Sequence, residues 1–164
     1  MATDFRELEA FRDKIAALAN GKCSEFCDDC TKELSARLLG KVVRRTPVGN
    51  YDDTYELEDD GEQKFLVMSD KKGKTLRNGW TTEPLARSGT QHMINVINPV
   101  PYASYVEFGH RQEPGRYVPA IDRKLKLSWV KGQFMLTDSV KEMNRSAQQT
   151  VQRKLDEFLN KELK

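Results

Sequence analysis

Asn98-Pro99-Val100-Pro101-Tyr102-Ala103-Ser104-Tyr105-Val106-Glu107-Phe108-Gly109-His110-Arg111 is the stretch on which the reading of this chain turns. The residues from Tyr102 to Phe108 suit a short helical turn, with prolines before it and a glycine after it. Tyr102, Tyr105, Phe108 and the later Tyr117 stand among Glu107, His110, Arg111, Glu113 and Arg116. Aromatics mixed with arginine are typical of protein interfaces and of single-strand nucleic-acid sites. Core aromatics flanked by turn residues have the same local pattern.

Outward from this stretch, residues 48–130 are cut into short pieces by Gly49, Asn50, Gly61, Gly73, Asn78, Gly79, Gly89, Asn98, Pro99, Pro101, Gly109, Pro114 and Gly115. Strand-like runs lie between the cuts: Phe65-Leu66-Val67-Met68, Trp80-Thr81-Thr82 and Met93-Ile94-Asn95-Val96-Ile97. Leu125, Leu127 and Trp129 alternate with Lys124, Lys126 and Ser128, as in an extended arm or a strand with one buried face.

Both flanks are helical in pattern. Phe5, Leu8, Phe11, Ile15 and Leu18 recur at helical spacing, and Asn20-Gly21 follows as a stop signal. A second stripe, Phe26 or Cys27, Cys30, Leu34, Leu38 and Val42, ends at Thr46-Pro47, so the two segments read as a helical hairpin. Leu136, Val140, Met143, Ala147, Val151, Leu155, Phe158 and Leu159 share one face of a final helix over about 134–163. Ser139 and Glu142 have capping-box spacing and place its start near there. The expected fold is α+β: a small antiparallel sheet flanked by two N-terminal helices and a long C-terminal helix, in one domain spanning 1–164.

Composition narrows the function. The 164 residues suit one ordinary domain, and Lys plus Arg number 27 against 25 for Asp plus Glu, a weak basic balance for a dedicated nucleic-acid binder. Charges at Asp4, Arg6, Glu7, Glu9, Arg12 and Asp13 interrupt any signal-peptide core, and no apolar stretch approaches the length of a membrane span. Three cysteines, an odd number, point to a reducing compartment rather than a disulfide framework.

The sharpest chemical motif is Cys23-x3-Cys27-x2-Cys30, the ligand spacing of certain four-iron clusters. It supports an alternative reading as an iron–sulfur or zinc protein using Cys23, Cys27 and Cys30. The same positions are i, i+4 and i+7 of one helix face, where buried free cysteines serve as small apolar residues. His92 and His110 lie at no zinc-motif spacing, and no Walker loop, G-x-G-x-x-G or H-E-x-x-H occurs. Asp52, Asp53, Glu56, Glu58, Asp59, Asp60 and Glu62 form an acidic run, followed by Lys71, Lys72, Lys74 and Arg77. This pattern fits a solvated hairpin, an arm docking on a neighbouring subunit, or an acidic lining that repels passing DNA.

The 98–111 stretch resembles the signature of the phage head–tail joining, or tail-completion, family (the gp-ten-like family of HK-type phages), which reads roughly N-x-x-x-Y-A-x-Y-V-E-[YF]-G-H-R. Three further pieces fit in order: Arg45-Thr46-Pro47-Val48, then Leu76-Arg77 with Trp80, then Gly132-Gln133-Phe134-Met135-Leu136. The resemblance covers about 41–140. It departs from the family at about 49–74, an acidic–basic insertion where members usually have a few residues. The cysteines lie outside it.

What the resemblance implies is a structural virion protein of the tail neck, with no enzymatic activity, catalytic residue, metal or cofactor. Such subunits form a ring, commonly a hexamer, that completes the tail tube and joins it to the head connector, stopper or collar. Implied partners are further copies of the chain, the tail-tube protein and the connector, with the tail sheath as an additional candidate. DNA is met only in transit through the bore, no membrane is involved, and assembly takes place in the host cytoplasm. The candidate interface or motif residues are Thr46, Pro47, Leu76, Arg77, Trp80, Tyr102, Tyr105, Glu107, Phe108, Gly109, His110 and Arg111.

Overall fold

The apolar stripes and proline stops of the sequence become helices at both ends of the chain. The computed structural model describes residues 6–49, 55–59, 64–68, 73–119 and 123–162. Asp4, Phe5, Asn50, Asp52, Asp53, Asp60, Gly61, Glu62, Lys71 and Lys72, singled out above, lie outside the described residues. In chain order the elements are α1 (Arg6–Ala17), a π-helical segment (Leu18–Lys22), α2 (Cys23–Arg45), β1 (Tyr55–Asp59), β2 (Lys64–Met68), α3 (Thr75–Asn78) and β3 (Thr81–Thr82). They continue with β4 (Ala86–Ser88), β5 (Gln91–Met93), β6 (Val96–Ile97), α4 (Ala103–Phe108), β7 (Gly109–Arg111), β8 (Tyr117–Val118), β9 (Arg123–Lys124), β10 (Trp129–Lys131) and α5 (Met135–Glu162). The fold is α+β. Its strands pair two by two rather than in one sheet: β3 with β6, and the antiparallel ladders β1–β2, β4–β5, β7–β10 and β8–β9.

Three local expectations change. No polar loop separates α1 from α2, because Asn20-Gly21 falls inside the π-helical segment, where Gly21 takes φ +122°. Glycine accepts that value without a Cβ clash, so the stop signal yields a helix irregularity. The run Met93–Ile97 is split between β5 and β6. Asn95 turns its amide to the Glu83 carboxylate (2.7 Å) while its carbonyl accepts the Glu83 N–H (2.9 Å). Finally, α5 starts at Met135, ahead of Ser139, whose buried hydroxyl donates to the Met135 carbonyl one turn back.

Contacts cluster into two compact units. Unit 1 comprises Met1–Gly40, Thr82–Ile97 and Val140–Lys164; unit 2 comprises Lys41–Thr81 and Asn98–Ser139. Both α2 and α5 contribute residues to each.

In unit 1, α2 and α5 run antiparallel. Lys22 pairs with Glu162, the rings of Phe26 and Phe158 lie 5.0 Å apart, and Glu33 meets Lys154 (3.0 Å) and Arg153 (3.2 Å). Cys30 is buried between these contacts in sequence, and the α5 stripe from Val140 to Phe158 is half-buried, as its spacing requires. Phe11 and Ile15 of α1, expected on a core face, stay about half exposed. The β4–β5 hairpin is tied to α2 by Asp28: the buried carboxylate accepts from Arg87 and lies 2.7 Å from His92 Nδ1. Arg87 and His92 are cross-strand partners, so one carboxylate fastens both strands. No described helix is long and apolar enough to cross a membrane.

Candidate assembly interface

Unit 2 gathers the motif residues, and they divide into those that hold the fold and those that face outward. The end of α2 is the first joint. The Thr46 N–H donates to the Val42 carbonyl (3.0 Å), continuing the helix by one bond before Pro47 stops it. Thr46 is fully buried; its hydroxyl donates to the Val42 carbonyl (2.7 Å) and accepts from the Trp80 indole N–H (2.8 Å). The Thr46 carbonyl accepts two bonds from Arg77, from Nε (2.9 Å) and Nη2 (2.6 Å). A guanidinium there satisfies a helix-terminal carbonyl and opposes the negative end of the helix dipole. Arg45-Thr46-Pro47 and Leu76-Arg77-x-x-Trp80 are thus two halves of one joint, with Leu76 buried beneath it and Pro47 exposed.

Asn98 forms the second joint. Its side-chain amide donates to the Leu76 carbonyl (2.8 Å), and its side-chain oxygen accepts the Val100 N–H (3.1 Å). A Cβ at Gly79 would sit 2.7 Å from that oxygen, so the close approach requires glycine.

The third joint starts α5. Glu107, at the end of α4, is buried, and its carboxylate accepts the N–H groups of Leu136 and Thr137 (2.9 Å each) and the Thr137 hydroxyl (2.7 Å). A helix leaves its first N–H groups without partners, and Phe134, just before α5, has no side-chain acceptor. Glu107 supplies from a distance what an N-cap residue supplies locally, and its negative charge suits the positive end of the helix. The backbones cross closely: Gln133 N–H donates to the Val106 carbonyl (2.8 Å) and Phe134 N–H to the Glu107 carbonyl (3.0 Å). Gly109, at φ +85°, makes the crossing feasible, since a Cβ there would lie 2.3 Å from the Val130 carbonyl oxygen.

The outward set is different in kind. Tyr105 is 57% exposed and Phe108 62%, on α4; Leu127 is 63% and Trp129 51%, on the segment that returns to pair with β7. Tyr102, Tyr117 and Arg111 are also exposed. Of the two readings of the 124–130 alternation, the exposure fits the extended arm rather than a strand with one buried face: only Leu125 and Val130 are partly covered. The edge of the His110 ring meets Tyr105 (centroids 5.9 Å apart), and its Nδ1 is buried with no hydrogen-bond partner among the described residues.

Residues 9–109 match the model of the family described as "Bacteriophage HK97-gp10, putative tail-component". The chain belongs to this HK97-gp10-like family. No curated protein and no solved structure matches it. As an HK97-gp10-like protein it is a structural component of a bacteriophage tail and resides in the virion. The matched span ends at Gly109, in the middle of the third joint, whose other strand and helix lie beyond it.

The matched span begins earlier than the 41–140 resemblance and takes in the three cysteines, of which Cys23 and Cys27 are exposed on α2 and Cys30 is buried. Among the described residues no group of three His, Cys, Asp or Glu side chains is placed to hold a metal ion. The Asp28–Arg87–His92 cluster had no signal in the sequence, because its members are some sixty residues apart. Arg87, chiefly by hydrogen bonding and with His92 adding to it, holds the Asp28 carboxyl down at about 2 despite its burial.

Proposed function

We propose that this tail component is a neck protein: a ring of copies, six in the family's usual form, completes the tail tube and joins it to the head connector, stopper or collar. The observation that carries the reading is the exposure of Tyr105 and Phe108, within the family motif, and of Leu127 and Trp129, on the segment that returns to pair with β7. Large exposed aromatic and aliphatic side chains have the make-up of a protein interface centre. The proposed partners are neighbouring copies, the tail-tube protein and the connector, with the sheath added in contractile particles and DNA only passing through the bore. In this reading the chain has no catalytic role, and it assembles in the host cytoplasm.

The test is a tagged pull-down from a producing lysate, imaged by negative stain with gold on the tag. Gold at one end of tail-shaped particles, at the head junction where a head is present, supports the neck reading. Gold along the tube or at the distal tip would place the protein elsewhere in the tail and overturn it.

A further inference from the structure

Between Gly109 and Lys131 the chain carries six basic residues against two acidic ones. These residues build the two short ladders β7–β10 and β8–β9. On them lies a groove of about 690 Å³, lined by His110, Arg111, Gln112, Arg116, Val118 and Leu125, with Glu113 its one carboxylate. Two guanidiniums beside apolar side chains make a receptor for carboxylates presented on an otherwise apolar segment, since guanidinium and carboxylate pair through two parallel hydrogen bonds.

The chain itself contains the complementary piece. Residues 51–62 hold seven carboxylates and no basic residue, interleaved with Tyr51, Tyr55 and Leu57. β1 of the β1–β2 hairpin carries Glu56, Glu58 and Asp59. We propose that the groove on the basic arm of one copy receives the acidic β1–β2 hairpin of the next copy. The inference rests on the ring reading and gives that ring its contact.

Two different patches on one chain, each fitting the other, make a head-to-tail contact, and such contacts close into rings when the rotation allows. A duplex is the less suitable occupant. Phosphates would satisfy Arg111 and Arg116 but would leave Phe108, Leu127 and Trp129 uncovered, and those three are more than half exposed in the single chain.

The experiment is charge exchange on the full chain, read by sedimentation velocity and native mass. One variant carries Arg111→Glu and Arg116→Glu, the other Glu56→Lys and Glu58→Lys; circular dichroism and melting confirm that each stays folded. The wild type is expected to form closed rings, and each variant alone to lose the ring peak and sediment as a monomer. An equimolar mixture is expected to regain rings in which the two variants alternate, because every arm then faces a hairpin of opposite charge. Recovery only when both exchanges sit on one chain would place the contact within a subunit and overturn the proposal. Variants that form rings like the wild type would also overturn it while leaving the ring reading intact. An arm variant that forms rings but loses salt-sensitive binding to a labelled DNA duplex would make the arm a nucleic-acid surface instead. Wild type that stays monomeric up to saturating concentration would remove the ring reading and this inference together.

Discussion

Glu107 and Thr137 stand thirty residues apart in sequence, yet one carboxylate oxygen accepts both the backbone N–H (2.9 Å) and the hydroxyl (2.7 Å) of that threonine. The other oxygen accepts the Leu136 N–H. Glu107, within the Tyr-Ala-x-Tyr-Val-Glu core of the motif, is thereby a remote helix cap. Glu107→Ala leaves two N–H groups at the buried start of α5 without a partner and should cost about 2–3 kcal/mol, as for loss of hydrogen bonds to a charged group. Glu107→Gln keeps one good acceptor and should cost roughly half as much. Urea unfolding of both variants checks the order, and equal losses would show that the charge contributes little.

Thr46 and Trp80 offer a second measurement. Thr46→Val removes the acceptor of the Trp80 N–H and should destabilise by about 1–3 kcal/mol. Trp80→Phe removes the donor and its ring volume. Their double-mutant cycle should return a coupling of about 0.5–2 kcal/mol, because the Trp80 N–H donates to the Thr46 hydroxyl, which itself donates to the Val42 carbonyl. Additive losses would mean that the bond is immaterial to the joint.

The exposed aromatics, Phe108 in the motif and Trp129 outside it, should behave oppositely. Phe108→Ala and Trp129→Ala should shift stability by no more than about 0.5 kcal/mol, as surface changes do. Their incorporation into tails should fall by about thirty-fold, corresponding to roughly 2 kcal/mol for an interface centre. Quantifying the protein in purified particles by immunoblot decides this, and normal incorporation would confine the exposed aromatics to no assembly role.

The Asp28 cluster gives unit 1 an acid limit. A carboxyl held at about 2 rather than 3.8 binds its proton less readily in the folded chain, so its contribution is fully present above 3.8 and is lost as pH falls through about 2. Glu33 and Glu162 are also lowered, by their lysine and arginine partners, and stay in place when Asp28 is changed. The melting-temperature gap between wild type and Asp28→Asn should therefore be constant above about pH 5 and narrow steadily towards pH 2. A gap that persists at pH 2 would assign the effect to packing rather than charge.

Thiol labelling addresses the cysteine motif. Burial pushes the Cys30 thiol up, and the side chain is inaccessible in the folded protein, whereas Cys23 and Cys27 are exposed. A maleimide at neutral pH should modify Cys23 and Cys27 rapidly and Cys30 only after unfolding. Protection of all three in the native protein would revive a shared ligand.

What sequence revealed of this molecule follows the range of the interactions involved. α2 was legible because its stop, Thr46-Pro47, is local, and α4 because Tyr102 to Phe108 lies between prolines and a glycine. The 134–163 span agrees with α5, but the cap read at its start is not the one in use, for the converse reason. Ser139 and Glu142 have the spacing of a local cap, but the acceptor in use belongs to Glu107 and comes from another part of the chain. In the same way the motif marked Glu107 and Phe108 alike, although one is buried and structural and the other exposed. Adjacent residues at the end of a short helix point in different directions, and only the crossing chain at Gly132–Phe134 determines which of them is covered.

The partition of the chain into units also sets an order of synthesis. Unit 2 is closed by residues up to Ser139, while unit 1 needs Val140–Lys164 to meet helices made at its very beginning. At ordinary translation rates those first helices wait on the order of ten seconds for their partner. In the order of synthesis, every residue of unit 2, arm and exposed aromatics included, is therefore made before the amino-terminal helices have α5 to pack against.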